Sequence, residues 1–174
     1  IQHAIKEYYL TDDYNAKMNL RGIINENVRS YIVNLKGCTP DIQNKITRLP
    51  IPNDQFFLWH IYFKDVFDNG GFDIVIGNPP YNELRDLSQK EQDAYKKSNH
   101  HKYAKGGRVN MFQYFYPLGI DMCNSKGIIC FITQNSLLAE DSALENRKLI
   151  FTNTSILSVD SYPERDDKNK RVFE

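Results

Sequence analysis

The chain has 174 residues, 41% apolar and 25% charged, which suits one globular domain with a real core and leaves too little for two full ones. Its formal net charge is zero, so any contact with nucleic acid has to come from a local patch. No apolar run approaches the roughly eighteen residues of a membrane span, and Ile1-Gln2-His3 does not open a signal peptide.

The three cysteines, Cys38, Cys123 and Cys130, form no C-x-x-C pair. A zinc site or a disulfide framework is therefore not indicated, and reduced thiols in a cytoplasm are expected, with no metal in this segment. The chain starts without Met and reads as a trimmed or internal piece of something longer.

In chain order, residues 14 to 36 carry Leu20, Ile23, Ile24, Val28, Tyr31, Ile32 and Leu35 at helical spacing, with Gly37 as a stop. Pro40, Pro50 and Pro52 mark an irregular connection. The aromatic run FFLWHIYF, residues 56 to 63, reads as a strand or a packed extended segment, and Asn69-Gly70-Gly71 as a turn. FDIVIG, residues 72 to 77, lacks polar alternation and predicts a central strand covered on both faces. Ser88 with Glu91 forms a capping box for a helix over 89 to 97. KKSNHHKYAKGGR, residues 96 to 108, is a basic stretch without an acid and reads as a solvated loop. A helix over 109 to 124, a buried strand over 128 to 133, a helix over 142 to 151 and a third strand over 155 to 160 follow. This alternation predicts an α/β fold, a partial Rossmann-like doubly wound sheet preceded by a helical segment. Residues 1 to 55 are expected to form the helical segment and linker, and residues 56 to 174 the partial α/β domain.

Ligands in such sheets sit beyond the carboxyl ends of the strands. That rule selects Asn78-Pro79-Pro80-Tyr81 after the first strand and Gln134-Asn135-Ser136 after the second. The first has a chemistry of its own. An exocyclic adenine amine is a poor nucleophile because its lone pair is delocalised into the ring. Two acceptors on its two N–H bonds localise that pair, and the Asn78 side-chain oxygen and the Pro79 carbonyl can supply them. Neither is a strong base, so the stabilisation is by preplaced dipoles. Pro79 and Pro80 stiffen the turn and leave its carbonyls free. Tyr81 offers a ring for stacking, worth about 1–3 kcal/mol for an unpaired base. A base inside a duplex has to flip out to reach it.

Phe72 to Tyr81 resembles the catalytic motif of adenine-N6 DNA methyltransferases of the Asn-Pro-Pro-Tyr type. Asn110-Met111-Phe112 resembles the start of the family's next helix, and Gln134-Asn135-Ser136-Leu137-Leu138 the turn after its next strand. Arg147 sits where relatives carry an arginine, and Arg171-Val172-Phe173 is similar to a later motif whose Phe packs on the flipped base. The lead-in from Trp59 to Phe67 with Gly70-Gly71 resembles the methyltransferase domain of type IIG restriction–modification enzymes. The resemblance implies a bacterial cytoplasmic enzyme acting on double-stranded DNA with S-adenosylmethionine, Gly77, Asn78 and Asp65 meeting the cofactor.

Upstream of the motif, where the family keeps its glycine-rich cofactor loop, residues 1 to 55 read as helix and loop. The expectation is an excised central fragment that needs the remaining methyltransferase and target-recognition parts of a parent chain, and that is inactive alone. The basic stretch beside the catalytic turn makes Lys102, Lys105 and Arg108 candidates for DNA phosphate contact. His100-His101 reads as solvent-exposed loop, with no role as a metal pair, and 164 to 168 as a solvated charged loop. The competing readings are a protein-glutamine or RNA methyltransferase, whose amide or amine poses the same problem, and a non-catalytic DNA-binding or scaffold module with this fold.

Overall fold

A computed structural model describes residues 1–48 and 57–162, which divide into two units, Ile1–Asn69 and Gly70–Glu174. The first is helical: α1 Gln2–Leu10, α2 Tyr14–Val33, α3 Pro40–Arg48, α4 Trp59–Tyr62 and α5 Lys64–Asp68. α2 begins where the Asp13 side chain accepts from the Ala16 N–H at 2.6 Å. It stops at Val33, short of the expected end, because Asn34 turns its amide back onto the Ser30 carbonyl at 2.7 Å. Its buried Ile24 and Val28 form a cluster with Ala4 and Ile5 of α1.

Two readings of this unit are corrected. Pro40 is the first residue of α3 rather than part of an irregular connection. The first helical N–H has no partner in any case, so proline is well suited there. Pro50, Pro52 and Phe56 lie outside the described residues. The aromatic run forms helical turns and no strand: Tyr62 N–H donates to Leu58 O at 3.1 Å and Phe63 N–H to Trp59 O at 2.8 Å. Helical spacing stacks Trp59 on Phe63, with ring centroids 5.8 Å apart.

The second unit contains β1 Phe72–Gly77, α6 Gln89–Lys97, α7 Phe112–Met122, β2 Cys123–Phe131, α8 Ser136–Ala139 and α9 Leu144–Asn153, with short 3₁₀ turns at Leu84–Asp86, Asn99–Tyr103 and Asp141–Ala143. β1 and β2 pair in parallel, Ile74 opposite Ile128 and Gly77 opposite Phe131, with a register shift between Phe72 and Ile74. α6 matches its predicted span, and the reciprocal Ser88–Glu91 cap is formed. This mixed unit with a two-stranded parallel sheet is compatible with part of an α/β methyltransferase fold.

α7 covers one face of the sheet. At Gly119 a Cβ would lie 2.9 Å from the Phe131 ring, so a residue without a side chain is what lets the helix approach. Tyr116 of the same helix meets Phe131 edge-on at 5.3 Å. The other face is open, which corrects the expectation of a strand covered on both sides: Ile74 is 66% and Ile76 78% exposed. No described element packs over them.

Three further boundaries differ. α7 starts at Phe112 instead of 109, because 109 to 111 pair with 82 to 84: Leu84 N–H donates to Val109 O at 2.8 Å and Met111 N–H to Asn82 O at 2.9 Å. β2 begins at Cys123, earlier than read, because Cys123 already pairs with Phe72. Residues 155 to 160 form no strand. A strand exists through its ladder partner, and among the described residues none runs beside this segment, whose Ile156, Leu157 and Val159 are exposed. No helix among the described residues is long and apolar enough to cross a membrane.

Candidate functional site

The turn after β1 leaves the sheet under the control of its neighbour. Gly77 O accepts from Ile132 N–H at 3.1 Å, extending the ladder one residue past β2. Beyond it Asn78 and Pro80 are exposed, Pro79 is buried and Tyr81 half-buried. The Tyr81 hydroxyl lies 2.6 Å from Asn78 Oδ1 and 3.0 Å from the Ile132 carbonyl oxygen. A phenol has one proton, so these two acceptors share it. Burial pushes the Tyr81 phenol above its ordinary range, which keeps that proton in place at neutral pH. The Asn78 amide oxygen is thus already the acceptor of one donor. On α7, burial pushes the Tyr116 phenol up to about 12.

The downstream end of the turn is tied to the segment before α7. Asn110 Nδ2 donates to Tyr81 O at 2.6 Å and to Gln134 Oε1 at 3.1 Å. Asn110 N–H donates to Gln113 Oε1 at 3.1 Å, and Gln113 Nε2 to Ser142 O at 2.7 Å. Gln113 is 0% exposed, so these bonds replace water completely. Tyr81, Arg108, Asn110, Gln134 and Ser136 line a polar cleft of about 170 Å³ at the carboxyl ends of both strands. A larger open hollow in the first unit is the apolar seam between α1 and α2. The smaller cleft lies at the carboxyl ends of the strands, where such sheets bind ligands, and is the better candidate.

The basic segment follows α6. Lys96 and Lys97 end that helix, Lys102 lies in the 3₁₀ turn with Nζ 4.8 Å above the Tyr103 ring, and Lys105 and Arg108 are exposed. Lys105 helps hold the Glu145 carboxyl below its ordinary range, after the larger effect of the Lys148 hydrogen bond. The two histidines are not idle loop residues. His100 Nε2 meets Asp121 Oδ2 at 2.8 Å and His101 Nδ1 meets the buried Tyr114 hydroxyl at 2.8 Å, pinning the basic segment to α7. At Gly106, with φ +129°, a Cβ would lie 3.0 Å from Ser142 Cα, so the loop passes close to the start of α9. Arg147 Nη1 donates to the carbonyls of Leu137 and Glu140 at 3.0 and 2.7 Å and closes α8 onto α9.

Gly77, Asn78, Tyr81 and Arg108 thus belong to one unit and lie at or near one cleft. Asp65 lies in α5 of the first unit, where its carbonyl accepts from Asn69 Nδ2 at 2.7 Å. Phe173, with Arg171 and the charged run 164 to 168, lies outside the described residues. Sequence reasoning missed Asn110 and Gln113 as a bonded pair. An Asn three residues before a Gln at a helix start was the available signal. With this geometry in view, a family model described as "Eco57I restriction-modification methylase" matches residues 7–167.

Proposed function

Because this chain belongs to the Eco57I restriction-modification methylase family, a family of DNA methyltransferases, we propose that it carries the target-base half of an S-adenosylmethionine-dependent adenine-N6 methyltransferase. The observation that carries this reading is the 2.6 Å hydrogen bond from Tyr81 to Asn78 Oδ1. It marks Asn78 as a preplaced acceptor at the end of a parallel strand. In the reaction the adenine amine replaces the phenol as donor to Asn78, and its second N–H goes to Pro79 O. The lone pair is then localised and aimed away from the ring. Tyr81, once displaced, presents its face to the flipped base.

S-adenosylmethionine supplies an electrophilic methyl group on a sulfonium. When bound it would supply that methyl group to the amine held by Asn78 and Pro79, whose proton becomes acidic only once it is alkylated. Asn78 and Pro79 need not act as bases. The chain's own residues fit the methyl end of that cofactor, at Gly77 and Asn78. Among the described residues, the glycine pair Gly70-Gly71 does not fit its amino-acid end. Gly71, which follows the other positive-φ glycine of that turn, Gly70, lies against Met122 O at the opposite end of β1 from Asn78. Asp65 is assigned to the cofactor through the resemblance alone. Functionally, we assign 1–55 to a helical segment and 56–174 to the partial catalytic domain of a Rossmann-like, type IIG-like enzyme of the bacterial cytoplasm. Lys102, Lys105 and Arg108 meet duplex phosphates, and Phe173 the base. The family's description is what favours DNA over glutamine or RNA.

The test is nucleoside mass spectrometry of duplex DNA treated with the complete protein and S-adenosylmethionine. N6-methyladenine is the expected product. Methylcytosine alone, or methyl transfer only to RNA or protein, contradicts the proposal.

A further inference from the structure

We propose that Asn110 is a positioning residue for the catalytic turn, fixing the Tyr81 carbonyl and coupling it to Gln134 beyond β2. The inference rests on the adenine-N6 reading of Asn78 to Tyr81. Pro79 and Pro80 have no N–H, so half of the turn cannot be held through the donors that usually anchor a loop. It has to be held through carbonyls by donors from elsewhere. Asn110 Nδ2 supplies that donor at 2.6 Å, and the adjacent Met111 N–H takes the Asn82 carbonyl at 2.9 Å.

The partners fix the orientation of the Asn110 amide. Its nitrogen faces the Tyr81 carbonyl, which only accepts, so the nitrogen is assigned without ambiguity. Its other proton goes to Gln134 Oε1 at 3.1 Å, while Oδ1 accepts from Phe112 N–H at 3.3 Å. Both amide protons are spent on oxygens from two different strand ends. The flanking Met111 and Phe112 are 2% and 1% exposed, so the backbone carrying this amide is locked by packing. One side chain thus sets the distance between the two places where an α/β sheet binds ligands. A carboxylate has the same shape but no proton to give, and would set oxygen against the Tyr81 carbonyl.

The test is Asn110→Asp in the complete protein, with Gln134→Ala as a second variant. Melting temperature, duplex DNA affinity and single-turnover methylation rate are measured for each. A misplaced turn is expected to lower the rate by about 100-fold in Asn110→Asp. DNA affinity should stay within about threefold, since a transition-state contact and not uniform binding is lost. A purely structural role would lower the melting temperature and affinity together. A rate within about threefold of wild type, in a folded Asn110→Asp protein, overturns the proposal. If that variant does not fold, Gln134→Ala decides. A lower rate at unchanged affinity supports the coupling, and an unchanged rate overturns it. A wild-type protein that methylates no adenine overturns the reading beneath, a result that the variants cannot mimic.

Discussion

Tyr81→Phe removes one oxygen and keeps the ring. That oxygen's proton is shared by Asn78 Oδ1 at 2.6 Å and Ile132 O at 3.0 Å. Asn78 Oδ1 has two lone pairs and the phenol holds one of them; in the proposed reaction the adenine amine approaches along that occupied direction, so the phenol leaves first. Releasing an intramolecular hydrogen bond to water costs a net of about 0.5–1.5 kcal/mol. Every 1.4 kcal/mol is tenfold, so the closed state lowers apparent affinity for the flipped base by about 2- to 12-fold. Tyr81 is half-buried, so water competes for the bond, and the low end of that range applies. The assay maps the methylated site in DNA from cells expressing the complete protein. It then titrates a duplex carrying 2-aminopurine at that position and follows the fluorescence rise on flipping. Tyr81→Phe should bind the extrahelical base more tightly, by about 2- to 5-fold, with stacking retained. Tyr81→Ala should bind it about 5- to 150-fold more weakly through loss of about 1–3 kcal/mol of stacking. Weaker flipping by Tyr81→Phe would refute the reasoning, because the hydroxyl would then be a contact of the bound state.

Charge reversal at Lys102 and Lys105 in the complete protein should weaken duplex binding and flatten the salt dependence, the slope falling by about 0.9 per lost phosphate contact. An unchanged slope removes both lysines from the interface. Calorimetry on the 174-residue chain should detect S-adenosylmethionine binding weaker than micromolar, and micromolar affinity would show that the amino-acid end is held by residues already present. The raised Tyr116 phenol gives a signed pH effect. Folded and unfolded states both keep the proton below the ordinary value of 10.0, and stability should fall as pH rises from there through about 12. Denaturant midpoints across that window should drop less in Tyr116→Phe. An equal drop removes Tyr116 as the cause.

Much of the local structure could be read from neighbouring residues. The Ser88–Glu91 cap, the α6 span and the strand FDIVIG depend on contacts a few residues apart, and they formed as expected. What was missed depends on partners distant in sequence. Whether FDIVIG is covered on both faces depends on what packs over Ile74 and Ile76, and apolarity alone does not say. The helix expected from Val109 yields its first turn to pairing with 82 to 84. His100 and His101 looked like loop residues until Asp121 and Tyr114 came beside them. At the site, Asn78 to Tyr81 was singled out by its position after FDIVIG, and that strand formed. Asn110 was legible only as the start of a helix, and its bond to Tyr81, 29 positions away, was not, because no periodicity links them.

The central claim is that the Asn78 side chain accepts from the amine being methylated. It is tested most directly by single-turnover methylation of duplex DNA with wild-type and Asn78→Ala forms of the complete protein, with DNA affinity measured alongside. Loss of one preplaced dipole should cost about 10²–10³ in rate, with duplex affinity little changed. Undiminished formation of N6-methyladenine by Asn78→Ala would contradict the account.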